Sequence, residues 1–356
     1  MTPVPPQTRL AVPGSGPGAT PGTAVSEHQR QRELAHRVGQ LHGDILREVG
    51  KAVIGQKEVI EQILIAVFSG GHCLLTGAPG LAKTLLVRTL GDVFGLSFHR
   101  IQFTPDLMPA DISGVEILEE SPEGRKLVFH KGPIFANLIL ADEINRTPPK
   151  TQSAMLEAMQ ERQVTVAGRT MPLPQPFFVL ATQNPIEMEG TYPLPEAQLD
   201  RFTFNVLIDY PGEDDEVRVI QQTTGRAGEQ VGALLNDTDL LACQQLVREV
   251  PVAEPVARFA VRLAAASRPN RPESSAYVNQ WVAWGAGVRA AQCLILAGKA
   301  RALLHGRPFV SEDDVRALAH PVLRHRILVN YRARAEGIDP SRIVDQLLDQ
   351  ATPAAG

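Results

Sequence analysis

From residue 28 onward the apolar residues fall into a helical pattern. Leu34, Val38, Leu41, Ile45 and Val49 recur at spacings of three and four, so they share one face of a helix. A loop at AVIGQ, residues 52–56, separates it from a second helical stretch in KEVIEQILIAVFSG, residues 57–70. The period then changes. HCLLTG, residues 72–77, and the runs Asn137 to Ala141 and Phe177 to Thr182 are short, mostly apolar and end in polar residues, as strands buried on both faces of a parallel sheet do. Their alternation with helices predicts an α/β sheet, whose ligands sit outside the carboxyl ends of the strands.

Two segments break the alternation. VEILEESPEGRKLVFH, residues 115–130, flanks a Ser-Pro-Glu-Gly turn with β-favouring residues, and RQVTVAGRTMPLP, residues 162–174, does the same around Ala167 and Gly168. Both predict hairpins that either decorate the surface or touch a substrate or neighbouring subunit. After Tyr210 the patterns are helical, with no further buried strand expected: Val252, Val256, Phe259, Ala260 and Leu263 share a face, and SEDD at 311–314 fits a helix start. The expected division is a tail over 1–26, an α/β domain over 27–211, an all-helical domain over 212–350 and a short tail over 351–356.

Composition sharpens this picture. At 356 residues, 44% hydrophobic and 21% charged, the chain can bury a substantial core and suggests two domains more readily than one. A formal charge of −4 supplies no global attraction to nucleic acid or to an anionic membrane. Cys73, Cys243 and Cys293 are isolated and mostly in apolar surroundings, which predicts buried free thiols in a reducing compartment, the cytoplasm. No apolar run reaches membrane-spanning length. The first 26 residues are rich in Pro, Gly and Thr, lack the compact apolar segment of a secretory signal and predict a flexible tail. Asp214, Asp215 and Glu216 are expected to complement a helix dipole rather than to bind metal.

The chemistry is concentrated in four stretches. GAPGLAKT, residues 77–84, is almost bare of bulky side chains, and successive N–H groups at a helix start form a concave donor surface suited to phosphate. The loop comprises Gly77, Ala78, Pro79, Gly80, Leu81 and Ala82. Lys83 would reach the outer phosphates and the Thr84 hydroxyl would join a magnesium shell. In NLILADEINR an apolar strand delivers Asp142, suited to holding magnesium, and Glu143, suited to polarising an attacking water. FFVLATQNP ends in Asn184, whose amide could orient that water or contact a γ-phosphate; Asn before Pro is also an ordinary turn signal. LPEAQLDRF supplies an arginine, Arg201, near the end of the predicted α/β domain.

Together these motifs resemble those of the MoxR family of AAA+ ATPases. GAPGLAKT looks like Walker A, LILADE like Walker B, ATQNP like the sensor-one strand and LPEAQLDRF like the segment carrying an arginine finger. FHKGPIFANLILADEINRTPPKTQSAMLEAMQERQVTV, residues 129–166, adds to the match, which runs from about Val53 through the helical part. A general P-loop has glycine before its lysine; alanine, here Ala82, is usual in MoxR-like loops.

The resemblance implies an AAA+ α/β domain with a helical lid, ATP and Mg2+ as ligands, and ATP hydrolysis. Lys83 and Thr84 would bind phosphate and metal, Asp142 would complete the metal site, Glu143 would activate water and Asn184 would be sensor one. Arg201 would act in trans on a neighbour's nucleotide. Arg289 in WGAGVRAAQ resembles the sensor-two arginine, although Gly287 and Val288 replace the frequent Ser-Pro before it. Val53, Ile54 and Gly55 fall where the family contacts adenine. Arg146, Arg162 and Arg169 compete for contacts between subunits. Family members form rings, usually hexameric, that mature other proteins, often with partners bearing von Willebrand factor A domains. The two hairpins would pass nucleotide-driven motion to such a client. Three other readings stay open: a small-molecule kinase, a nucleic-acid motor, which the acidic balance counts against, and a scaffold without turnover, which the intact Glu143 counts against.

Overall fold

The computed structural model describes residues 27–121, 124–185, 190–225 and 229–351. The expected tail over 1–26 and residues 352–356 of the C-terminal tail lie outside these. In chain order the strands are β1 Cys73–Thr76, β2 Phe98–Gln102, the pair β3 Gly114–Ser121 and β4 Gly124–Lys131, β5 Leu138–Asp142, the pair β6 Gln163–Val166 and β7 Arg169–Pro172, β8 Phe178–Gln183, β9 Phe204–Leu207, β10 Val282–Trp284 and β11 Leu328–Val329.

A five-stranded parallel sheet of order β2-β5-β8-β1-β9 forms the centre. Its strands alternate between two cores with the period of two that a strand imposes. Cys73, Leu75, Leu138, Leu140, Phe178, Leu180, Phe204 and Val206 join one apolar cluster; Leu74, Ile139, Ala141, Val179 and Ala181 join another across the sheet. The first cluster continues through the Glu27–Val49 and Lys57–Ser69 helices into the C-terminal helices, ending near Leu347. The helical region therefore shares its apolar packing with one face of the sheet. The second cluster is closed by the Pro149–Glu161 helix through Met155, Leu156 and Met159.

The helix over Lys57–Ser69 and both predicted hairpins form as expected. Strands β2 and β9 carry no expectation from the apolar pattern: each pairs along one edge, so polar His99, Arg100 and Asn205 are tolerated in them. The expectation that no buried strand follows Tyr210 is corrected. Val282 pairs with Val329 and Trp284 with Leu328 in a short antiparallel ribbon, with both valines buried. Two or three residues are too few to show an alternating period, which is why the ribbon leaves no trace in the pattern. Ser311 and Asp314 form a reciprocal capping box at the start of the Glu312–Leu323 helix. Asp214, Asp215 and Glu216 occupy the first turn of the Glu213–Thr224 helix.

Candidate functional site

The loop after β1 is shaped by a close approach at Gly77 and by left-handed backbone at Gly80 and Ala82. Gly77 donates its N–H to the Gln183 carbonyl at 3.4 Å, and a Cβ there would meet the Ile208 carbonyl oxygen at 2.2 Å. Gly80 lies at φ +82°, and a Cβ there would meet nothing within 4 Å, so its outer side faces open space. Ala82 precedes the Lys83–Val93 helix in the left-handed region at φ 53°, ψ 26°. An L-residue there costs roughly 1–2 kcal/mol, which explains why other phosphate loops place glycine at this point. The Lys83 ammonium folds back to donate to the Gly77 carbonyl at 2.5 Å. Burial lowers its pKa, while the nearby negative charges of Asp142 and Glu143 act in the opposite direction.

Beside the loop lies a cavity of about 420 Å³ lined by Val53, Ile54, Gly80, Leu81, Ala82 and Ile208 among others. Its apolar walls suit a planar base. Gly55 adjoins it at φ +69° rather than lining it, and a Cβ there would come 2.8 Å from the Asp215 carboxylate.

At the end of β5 the two carboxylates are set by one hydroxyl. Thr182 Oγ1 donates to Asp142 Oδ1 at 2.6 Å and accepts from the Glu143 N–H at 2.7 Å. The bond also holds Glu143 at φ 57°, ψ 50°, a left-handed backbone that turns its side chain out of the strand. Asp142 Oδ2 accepts from Arg100 Nε at 2.9 Å and Nη2 at 2.6 Å. Arg100 Nη2 also donates to Gln102, whose amide donates to Glu143 Oε2 at 3.1 Å, and Arg146 Nε lies 2.9 Å from the same oxygen. Asn184 is buried directly after β8, next to the Gln183 that pairs with Thr76. Thr182, Arg100 and Gln102 carry no signal in the sequence alone; Thr182 stands inside ATQNP, but its role depends on the β5–β8 register.

The arginines lie elsewhere. Arg201, Arg289, Arg162 and Arg248 line a cavity of about 290 Å³ with Gly70, Gly71 and His72, at the end of the sheet where β1 and β9 begin. The span from His72 to Gly77 along β1 is roughly 16 Å at about 3.3 Å per residue. A side chain at Arg201 therefore does not reach the phosphate loop of its own protomer. Arg201 Nη1 donates to the Leu156 carbonyl at 3.0 Å, and Arg289 Nη1 lies 3.8 Å from Asp200 Oδ2. Among the competing arginines, Arg146 sits beside Glu143, Arg162 shares the Arg201 cavity, and Arg169 pairs with Glu116 at 3.7 Å, joining the two hairpins.

The loop fits a polyphosphate because its outer side is open at Gly80 and the Lys83 ammonium stands beside the Gly77 carbonyl. For a metal, Thr84 and Asp142 offer hard oxygen donors. No group of three or more His, Cys, Asp or Glu able to hold an ion alone is present among the described residues. That donor set suits Mg2+, which binds through one or two protein oxygens, phosphate and water.

Comparison with known proteins agrees with this geometry. Residues 72–204 match the profile of the ATPase family associated with various cellular activities, and residues 275–347 match the AAA lid domain. The chain is similar to the chaperone MoxR1 of Mycobacterium tuberculosis, 42% identical over 93% of this chain and 84% of that one. It is also similar to the protein MoxR of Methylorubrum extorquens, 30% identical over 83% of this chain and 91% of that one. A crystal structure of a candidate ATPase from Cytophaga hutchinsonii superposes with a TM-score of 0.85 at 40% identity, covering 93% of this chain and 99% of that one.

Proposed function

The chain belongs to the MoxR family of AAA+ ATPases, and from that premise we propose that it binds and hydrolyses ATP with Mg2+ at subunit interfaces. The observation that carries the proposal is the split of charge across the sheet. Lys83, Asp142 and Glu143 stand at the carboxyl end of the strands, while Arg201 and Arg289 stand at the other end. The first end can hold the phosphates and the nucleophile, and the arginines of the second would add positive charge on the charge that develops, which speeds phosphoryl transfer.

In this proposal Val53, Ile54 and Gly55 place the adenine, and Gly77 to Ala82 with Lys83 hold the phosphates. Thr84 and Asp142 would hold Mg2+, which would supply positive charge to offset that of the phosphates. Glu143 orients and deprotonates water, Asn184 steadies that water or the γ-phosphate, and Arg201 and Arg289 serve the adjacent protomer's nucleotide. We place the boundary between the α/β and lid parts at 211/212; both profile matches fall within the parts so defined.

The assembly is proposed as a homo-oligomeric ring, a hexamer, in the cytoplasm. Its role is to remodel a protein client, with von Willebrand factor A domain proteins as the partner class. Chaperone is the name of the Mycobacterium relative, and it supports this reading. So do Ile117, Leu118 and Leu127, apolar residues exposed on the first hairpin. No helix among the described residues is long and apolar enough to cross a membrane.

The test uses two variants. Glu143→Gln should bind ATP but lose turnover by about 100-fold or more, and Arg201→Ala should do the same, since an arginine finger contributes about 10³–10⁵ in rate. Mixed in equal amounts, the two should recover hydrolysis, because each supplies what the other lacks. Absence of recovery in a proven mixed assembly would remove the trans role.

A further inference from the structure

The turn that carries Arg201 is held from the helical C-terminal region. Arg326, at the end of the Glu312–Leu323 helix segment and before β11, is only 6% exposed. Its guanidinium reaches the 200–203 turn through four hydrogen bonds. Nε donates to Asp200 Oδ1 at 2.7 Å, Nη2 donates to the carbonyls of Phe202 at 2.6 Å and Asp200 at 3.2 Å, and Nη1 donates to the Thr203 carbonyl at 3.2 Å. Nη1 also donates to the Val322 carbonyl at 2.5 Å, which fixes the guanidinium to the last turn of the preceding helix. His325 adds a contact from its Nε2 to the Phe202 carbonyl at 3.1 Å. Because a carbonyl only accepts, this nitrogen carries the hydrogen.

Asp200 is shared. One carboxylate oxygen takes Arg326, and the other lies 3.8 Å from Arg289. A planar guanidinium that satisfies the backbone carbonyls of Asp200, Phe202 and Thr203 fixes the orientation of that turn in a way a lysine or an apolar side chain does not. Burying such an ion pair is a poor source of net stability compared with well-packed apolar side chains. What it supplies is geometry, and the residue between the gripped carbonyls is Arg201.

We propose that Arg326, acting with Asp200, is a positioning residue that ties the lid to the turn carrying Arg201 and aligns Arg201 with Arg289 as one unit facing the neighbouring nucleotide. The proposal rests on the trans role given to Arg201 above. It makes the arginine that a protomer offers to its neighbour dependent on the placement of the protomer's own lid.

The experiment measures turnover and KM for Arg326→Gln and Asp200→Asn, alone and mixed with Glu143→Gln, alongside Arg201→Ala. Each of the two should lose kcat by about 10-fold or more with KM within about twofold, as misplacement of a reacting group by about 1 Å does. Each should regain turnover in mixed assemblies to the extent Arg201→Ala does, since its own nucleotide site is intact. A role confined to folding would instead lower the melting temperature and leave the loss unrelieved by mixing. Asp200 is partly exposed, so Asp200→Asn decides the matter where Arg326→Gln fails to fold. Wild-type kcat in both variants, or failure to recover while Arg201→Ala recovers, overturns the proposal. Full activity of Arg201→Ala overturns the trans reading and this inference together.

Discussion

Thr182 gives the sharpest test of how the catalytic end is held. Replacing it with valine keeps the volume and removes the hydroxyl. Two hydrogen bonds disappear: the 2.6 Å donation to Asp142 and the 2.7 Å acceptance from the Glu143 N–H. A bond to a charged group contributes about 1.5–3 kcal/mol and a neutral one about 0.5–1.5 kcal/mol, so the pair contributes about 2–4.5 kcal/mol. The Glu143 backbone, at φ 57°, also loses a partner that opposes the cost of its left-handed conformation. Half of that energy appearing in the transition state would correspond to a loss of about 10-fold, and displacement of the two carboxylates brings the expected fall in kcat to about 10- to 100-fold. Nucleotide affinity should change little, because Lys83 and the loop backbone are untouched. The assay compares kcat with the affinity for a fluorescent ATP analogue in Thr182→Val and Thr182→Ser, the second of which keeps the hydroxyl. The reasoning fails if Thr182→Val turns over within about twofold of the parent, or if Thr182→Ser is equally impaired.

Two further predictions concern stability. Asp314 is fully buried, accepts from Arg301 and from both Nη atoms of Arg307, and its pKa falls to about 2 despite burial, because these hydrogen bonds and that of the Ser311 N–H favour the carboxylate. Asp314→Ala leaves two guanidinium groups without it and should destabilise by roughly 3–5 kcal/mol in chemical denaturation; a change below about 1 kcal/mol would show the arginines find other partners. Burial lowers the His72 pKa to about 4 and puts that of His325 well below its usual value. Both histidines are neutral in the fold, so their contribution is fully present above pH 6.5 and is lost as pH falls from there toward 4. For His72 alone this is about 3 kcal/mol at 1.36 kcal/mol per pKa unit. Melting temperature measured between pH 7.5 and 4.5 should fall through this window, and His72→Gln should flatten the fall; an unchanged slope would exclude His72 as a source.

What the sequence disclosed tracks how each element is solvated. Strands β1, β5 and β8 are flanked by other strands and packed on both faces, so they must be apolar throughout and stand out. The phosphate loop is equally visible, because its function requires an absence of side chains. Strands β2 and β9 lie on edges and admit polar residues, which hides the strands and also Arg100 and Gln102 within β2. The pairing of Thr182 with Asp142 follows from the register of Ala141 with Ala181, which no local pattern encodes. Likewise Arg201, Arg289 and Arg326 are far apart along the chain. Only the docking of the helical region against the sheet brings them around Asp200.

A parallel sheet has two chemically different ends, and this one carries charged residues at both. The carboxyl ends deliver the phosphate loop, Asp142, Glu143 and Asn184; the amino ends border the cavity of Arg201 and Arg289. If the proposed roles hold, joining one protomer's first end to the next protomer's second end is a head-to-tail contact, which closes into a ring when the rotation permits and otherwise grows into a filament. Each interface would then contain one intact nucleotide pocket and one lid-anchored arginine pair. Because Arg326 and Asp200 tie that pair to the lid, lid movement in one protomer would alter the charge presented to its neighbour's phosphates. Communication around the ring would need no device beyond these contacts, and its strength would be set by how rigidly the 200–203 turn is held.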